Sequence, residues 1–428
     1  MDKFVIHGDI CYSVGPDELR CIEGGYLVCE GGVSQGAFDS LPERFENLPL
    51  IDHKGKMILP GLVDLHMHAP QFAFRGLGMD FELLQWLESY AFPEEAKYRD
   101  IEYARTAYAS VISDLVDGPN TRACLFATIH IPATRLLMDM LEESGLVCMV
   151  GKVNMDRNCP EYLREESAAC SAENTRYWLS GSIGRYENVY PILTPRFLPA
   201  CSEELMYELA ALYHAFKVPL QSHLSESTAE IEWVRQLCPG CKSYTEAYEK
   251  LGLFGGEAAT VMAHCVWLDD REIELMRSRN VYIAHCPQSN TNLSSGIAPV
   301  RRFLEKGVST GLGSDVAGGC HTSIFRAMSD AIQVSKLRFR HIDNNDRPLT
   351  VKEAFYLGTL GGGSFFGKAG SFEAGYEFDA IVIDEAGIHA PFPLTVEERL
   401  ARVIYLSDNG NILEKYVRGQ RIKLKVES

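Results

Sequence analysis

No apolar stretch in this 428-residue chain approaches the roughly 20 residues needed to span a bilayer, so no transmembrane helix is expected. Positive charge is also scarce: 41 lysines and arginines stand against 58 aspartates and glutamates, a formal charge of −17. Nucleic acid and anionic membranes attract basic surfaces, so neither is expected as a partner. The opening residues Met1-Asp2-Lys3-Phe4 run into strand-like sequence without the layout of a secretory signal. A disulfide framework is missing too. The thirteen cysteines are odd in number and scattered through apolar segments, as reduced, buried thiols are. A cytoplasmic location follows as an expectation. Cys238-Pro-Gly-Cys241 could be half of a thiolate metal site or a redox pair, but no second pair at zinc-ribbon spacing accompanies it. It follows a helix-like stretch, Ile231 to Leu237, and reads as a surface turn.

What is present begins with Met57-Ile-Leu-Pro-Gly-Leu-Val-Asp-Leu-His-Met-His68. In an extended strand alternate side chains share a face, so His66 and His68 point the same way about 6.6 Å apart along the backbone. Two such imidazoles can chelate one divalent ion, although a pair of ordinary polar residues at a strand end would look the same.

The first 56 residues alternate apolar and polar positions around turns such as Glu23-Gly24-Gly25, and similar small-sheet sequence returns in Phe378–Asp384 and Ile412–Val426. Between them strand-like runs alternate with helical ones, the grammar of a parallel sheet. Eight strands are expected: Met57–Leu65, Ala123–Ile129, Leu146–Val153, Val189–Thr194, Val218–Ser222, Thr260–Ala263, Val281–Ala284 and Val308–Gly313. Ile101, Ala104, Tyr108, Val111, Ile112 and Leu115 mark one apolar helix face between the first two. The 46% hydrophobic content supports a large core, and no repeat or low-complexity linker interrupts it. The expected fold is α/β: a (β/α)8 barrel over 57–370, with a small β-sandwich domain built from 1–56 and 371–428.

Polar residues gather where these strands stop: His66 and His68, His130, Lys152 and Asn154, Arg196, His223 with Glu226, His264, His285 and Asp315. In such a barrel the carboxyl ends of the strands converge on one mouth, so these residues would meet. Imidazoles with one or two carboxylates and an open position suit a catalytic zinc, which can lower the pKa of bound water to about 7. Glu226 can reach the same pocket as a proton carrier, or can simply be a helix-start charge near Ser225.

The runs Pro60-Gly-Leu-Val-Asp-Leu-His-Met-His68, His223-Leu-Ser-Glu226, Met262-Ala-His264 and Gly313-Ser-Asp-Val-Ala-Gly-Gly319 resemble the amidohydrolase superfamily. Further matches are His68-Ala-Pro-Gln71, Leu84-Gln-Trp-Leu87 followed by Phe92-Pro-Glu-Glu95, Phe126–His130, Thr194-Pro-Arg-Phe197, Ile283-Ala-His-Cys-Pro287 and Glu377–Ile381. They resemble the branch that deaminates guanine. The resemblance implies one zinc, with iron a possible substitute, held by His66, His68, His223 and Asp315. It places His264 beside the metal's water and Gln71, Arg196 and Phe197 against the purine, with His223, Glu226 and Asp315 also at the substrate. A homodimer is expected. Asp117–Ala123 departs from the usual Gly-Thr-Thr of relatives, on the expected noncatalytic side.

The implied reaction is hydrolytic deamination of guanine to xanthine and ammonia, with Asp315 taking the water's proton, Glu226 delivering a proton to the ring, and His264 orienting the nucleophile. Arg196 and Gln71 offer hydrogen bonds to the ring edge, while Phe197 can stack or fill core. His130 and His285 read as supporting groups, and Lys152 as unmodified rather than as the carbamylated metal bridge of some relatives. The rivals are the same chemistry on another purine, a pterin or a triazine, and a barrel that has lost catalysis and serves as a scaffold.

Overall fold

The computed structural model describes residues 3–424. Two four-stranded parallel sheets form its centre. One contains Leu62–His68, Asn120–Phe126, Val147–Gly151 and Val189–Pro191; the other contains Leu220–Leu224, Thr260–His264, Val281–His285 and Thr310–Leu312. The strands are buried along their length, as runs such as Ala-Cys-Leu-Phe and Val-Cys-Met-Val require. At one seam Leu193 bridges to Leu220, and Gln221 N–H donates to the Leu193 carbonyl at 2.9 Å. At the other, Asp315 N–H donates to the His66 carbonyl at 2.8 Å, and His68 N–H to that of Val316 at 3.0 Å.

The helix expected from Ile101 runs over Ile101–Asp117 with Asp100 capping its first turn. It buries Ala104, Tyr108, Val111, Ile112 and Leu115, but Ile101 is exposed, because the first residue of the helix precedes its contact with the sheet.

Strands from both ends of the chain lie in one seven-stranded sheet, ordered Gln420–Ile422, Ile412–Val417, Ala380–Ile383, Leu50–Pro60, Lys3–Gly15, Glu18–Glu30 and Val33–Phe38. Phe4, Phe372, Phe378 and Tyr416 cluster on it. Met57–Leu65, expected as a single strand, is two. Met57–Pro60 pairs with Ala380–Ile383 in the terminal sheet, and the chain crosses at Gly61 into the parallel sheet. A side chain at Gly61 would collide with Thr121, 2.2 Å from the added carbon. Of the expected Ile412–Val426 segment, Val426 lies outside the described residues.

The unusual Asp117–Ala123 segment meets this terminal sheet. Arg122 is buried between Asp379 (2.6 Å) and Glu377 (2.5 Å). Buried Lys415 donates to the carbonyls of Leu115, Val116 and Asn120, satisfying the end of the Ile101–Asp117 helix. All thirteen cysteines are free thiols. Cys11 and Cys21 face each other across a strand pair, Sγ to Sγ 3.3 Å. Cys238 ends the Thr228–Leu237 helix, and Cys241 N–H bonds back to its carbonyl in a turn.

Candidate active site

The carboxyl ends of the parallel strands carry the side chains that sequence reasoning singled out. His66 and His68 end one strand, His223 and His264 sit at the ends of two others, and Asp315 follows Thr310–Leu312. Two features let these ends approach. Asp64 accepts from the N–H of His66 (3.1 Å) and from the N–H (3.0 Å) and Oγ (2.5 Å) of Ser314, tying two strand ends together. Gly313 leaves room: a Cβ there would lie 2.9 Å from both the His66 Cβ and the Cys286 Sγ. Ser225, His264 and Asp315 have positive φ (49°, 72° and 46°), and such strain in non-glycine residues concentrates where geometry serves chemistry.

Ring nitrogens and carboxylate oxygens converge here. His66 Nε2 lies 3.1 Å from Asp315 Oδ1, His68 Nε2 lies 3.7 Å from the same oxygen, and His68 Nε2 lies 3.1 Å from His223 Nε2. His223 Nδ1 donates to the Arg196 carbonyl at 2.5 Å, so its Nε2 presents a lone pair. His66 Nε2 is buried without a hydrogen-bond partner. Lone pairs facing lone pairs, with an orphaned nitrogen among them, fit a divalent cation. His66, His223 and His264 bring ligand atoms within 4.8 Å of one another, and so do His66, Asp315 and Cys286. Cys286 was not anticipated at the site. Its thiol donates to the Ala284 carbonyl, and burial pushes its pKa well up, so it is a poor thiolate.

Burial lowers the pKa of His66, His68 and His223, keeping them neutral. Burial alone would raise Asp315, but facing His66, His264 and His68 hold it well below the usual carboxylate range. Neutral imidazoles with an ionised carboxylate are the protonation states that metal ligation needs. His264 differs. Burial disfavours its charge, yet Glu226 (3.4 Å) and Asp315 (3.7 Å) raise its pKa. Burial raises Glu226 to about 7.

These groups open into a slot lined by His68, His223, Glu226, His264 and Asp315. Gln71, Arg196, Phe197, Leu83, Trp86, Leu87 and Leu293 complete it. Phe197 answers to both readings: it lines the slot and packs edge-on against Trp233. Glu226 is not a helix-start charge. Ser227 caps the Thr228–Leu237 helix and Glu230 holds the Glu226 N–H, while the Glu226 carboxylate accepts from Ser295 Oγ at 3.0 Å.

Sequence reasoning gave no role to Glu95. It is buried and binds Arg196 through both oxygens (2.5 and 3.0 Å) while accepting from Gln71 Nε2 at 2.8 Å. Its signals were a place in the Phe92-Pro-Glu-Glu95 run that resembles relatives and a position in the first turn of a helix after Pro93, where acids are common; neither named a partner. Asn290 was missed as well; its Oδ1 accepts from His264 Nδ1 at 2.8 Å. His130 and His285 do not line the slot, and His285 is buried and held neutral, its pKa lowered to about 3. Lys152 is buried in an ion pair with Glu165.

The family model for amidohydrolases matches residues 57–422. The chain is 40% identical over 386 residues to the guanine deaminase of Dictyostelium discoideum, covering 88% of this chain and 85% of that protein. It is 39% identical over 381 residues to guanine deaminase of Homo sapiens, covering 86% and 83%. A crystal structure of guanine deaminase from C. acetobutylicum with bound guanine in its active site aligns with a TM-score of 0.95 and 43% identity, covering 98% of this chain and all of that one (100%). With the amidohydrolase motifs spread across the strand ends and these likenesses spanning most of its length, the chain belongs to the amidohydrolase family and, within it, to the guanine deaminases.

Proposed function

We propose that this chain hydrolyses guanine to xanthine and ammonia. The observation that carries the reading is a slot lined both by groups suited to proton transfer (Glu226, His264, Asp315) and by hydrogen-bonding groups for a ring edge (Gln71, Arg196). Apolar walls from Leu83, Trp86, Leu87 and Phe197 suit a flat, neutral ring. The guanine held by the C. acetobutylicum relative supports the same substrate.

His66, His68, His223 and Asp315 would hold one zinc ion, or iron in its place; the nitrogen-and-carboxylate donor set supports either. When bound, the ion supplies Lewis acidity, making water nucleophilic at neutral pH. Asp315 takes a proton from the water that attacks C2. His264 Nε2, between Glu226 Oε2 and Asp315 Oδ2, orients the attacking oxygen and stabilises the tetrahedral adduct. Glu226 delivers a proton to the adjacent ring nitrogen, then assists departure of ammonia. Arg196 and Gln71 hold the ring edge. The pairing of Lys152 with Glu165 supports an unmodified lysine and a single metal.

The two parallel sheets are read as one closed (β/α)8 barrel, supported by the hydrogen bonds at both seams. The terminal strands, which lie in one seven-stranded sheet rather than the two of a sandwich, are read as a separate small β domain, supported by their own aromatic core; Pro60 rather than residue 56 then marks its boundary. Free thiols support a cytoplasmic location.

The test is ammonia release across guanine, adenine, cytosine, a pterin and a triazine, with metal content measured in parallel. Guanine should be preferred by a wide margin. Equal turnover of another ring would replace the substrate, and metal-free, inactive protein would favour the scaffold.

A further inference from the structure

Glu95 is a buried carboxylate that the reaction above does not use, and its contacts are specific. A carboxylate only accepts hydrogen bonds, and the N–H of Ala317, which bonds Gln71 Oε1 at 3.3 Å, only donates. Between them the Gln71 amide has one orientation: nitrogen to Glu95, oxygen to Ala317. Flipped, it would set donor against donor and acceptor against acceptor. Glu95 also takes one N–H from each terminal nitrogen of Arg196, whose guanidinium lies over the Phe92 ring at 5.1 Å. The remaining guanidinium N–H groups are those available to a ligand. Arg196, Glu95 and Gln71 are each 2% exposed, so no solvent weakens the pairing.

We propose that Glu95 is a positioning residue that sets the selectivity of the slot, fixing the polarity of Gln71 and cancelling the charge of Arg196 so that neutral rings are favoured over ring anions. The inference rests on the guanine reading. Deamination turns an amino-bearing carbon into a carbonyl, leaving a ring N–H between two carbonyls. Such an N–H is more acidic than those of the substrate, so the product is the more readily anionic partner. An uncompensated guanidinium would hold that anion by charge. The Arg196–Glu95 ion pair instead leaves hydrogen bonds that a neutral ring satisfies and a departing anion gains little from.

The experiment compares wild type, Glu95→Gln and Glu95→Asp, all metal-loaded, in guanine kinetics and in inhibition by xanthine and urate from about pH 6 to about pH 9. Glu95→Gln keeps the size and loses the charge. It should raise KM for guanine about tenfold with kcat within a few-fold, and tighten xanthine and urate about tenfold, more so at higher pH. Glu95→Asp keeps the charge and should leave xanthine weak while raising KM. If kcat fell with KM unmoved, or the inhibition constants stayed unchanged in Glu95→Gln, the proposal would be overturned and Glu95 would be a packing residue. Calorimetric binding of xanthine to the same three proteins gives the charge comparison independently of turnover. A wild type that does not act on guanine but shows the tenfold tightening in Glu95→Gln would defeat the substrate assignment alone.

Discussion

Asp64 and Ser314, 250 positions apart, are joined twice: Ser314 N–H and Oγ donate to the two oxygens of the Asp64 carboxylate at 3.0 and 2.5 Å. Asp64 lies two residues before His66 and Ser314 one residue before Asp315, so the pair sets the spacing of His66 and Asp315 without lining the slot. Asp64→Ala should leave these strand ends unfastened and lower metal affinity about 10- to 100-fold, the usual cost of losing support behind a ligand. Competition with a chelator measures it. Wild-type affinity in the variant would mean the seam is held by backbone bonds alone.

The proposed metal ligands should behave as a set. His66→Ala or His68→Ala removes a neutral donor and leaves Asp315 with fewer partners. Both variants should lose most bound metal and all measurable turnover. Full occupancy by elemental analysis in either would remove that histidine from the set.

Glu226→Gln separates proton transfer from binding. It keeps the bond from Ser295 in reach but cannot deliver a proton, so turnover should fall by about 10² or more with metal retained. With the acid form of Glu226 as the proposed proton donor, wild-type kcat should decline above about pH 7.

The same residue should leave a mark on stability. Its pKa is raised by burial from 4.5 to about 7 in the folded chain. The folded state therefore binds this proton more tightly than the unfolded state. Its stabilising contribution is complete below the unfolded value and is lost as pH rises through about 7. In metal-free protein the melting temperature of Glu226→Gln relative to wild type should rise from about pH 5 to about pH 8. A pH-independent difference would place Glu226 outside that titration.

Arg196→Met and Gln71→Leu should each reduce kcat/KM for guanine by an equivalent of about 1 to 3 kcal/mol, with metal content unchanged. Since both donate to Glu95, the double variant should cost less than the sum. Strict additivity in steady-state kinetics would show that they act independently.

The sequence alone carried the eight central strands and the residues that line their carboxyl ends. Strand-end residues such as His66, His68, His223, His264 and Asp315 stand beside runs whose burial fixes their local structure, and short motifs preserve that spacing. Local pattern also held for the Ile101–Asp117 helix, apart from its first residue. Only the tertiary structure decided the rest. Met57–Pro60 is as apolar as the strand that follows it, so nothing local shows that it joins the terminal sheet; its partners Ala380–Ile383 lie more than 300 residues away. Glu226 and Glu230 both fit a helix start, and the fold gives them different partners: Glu230 accepts from the Glu226 N–H, while the Glu226 carboxylate accepts from Ser295. The role of Glu95 was illegible for the same physical reason, although its run resembles relatives. A carboxylate in a first helical turn is ordinary until a guanidinium 101 residues distant is packed against it with water excluded.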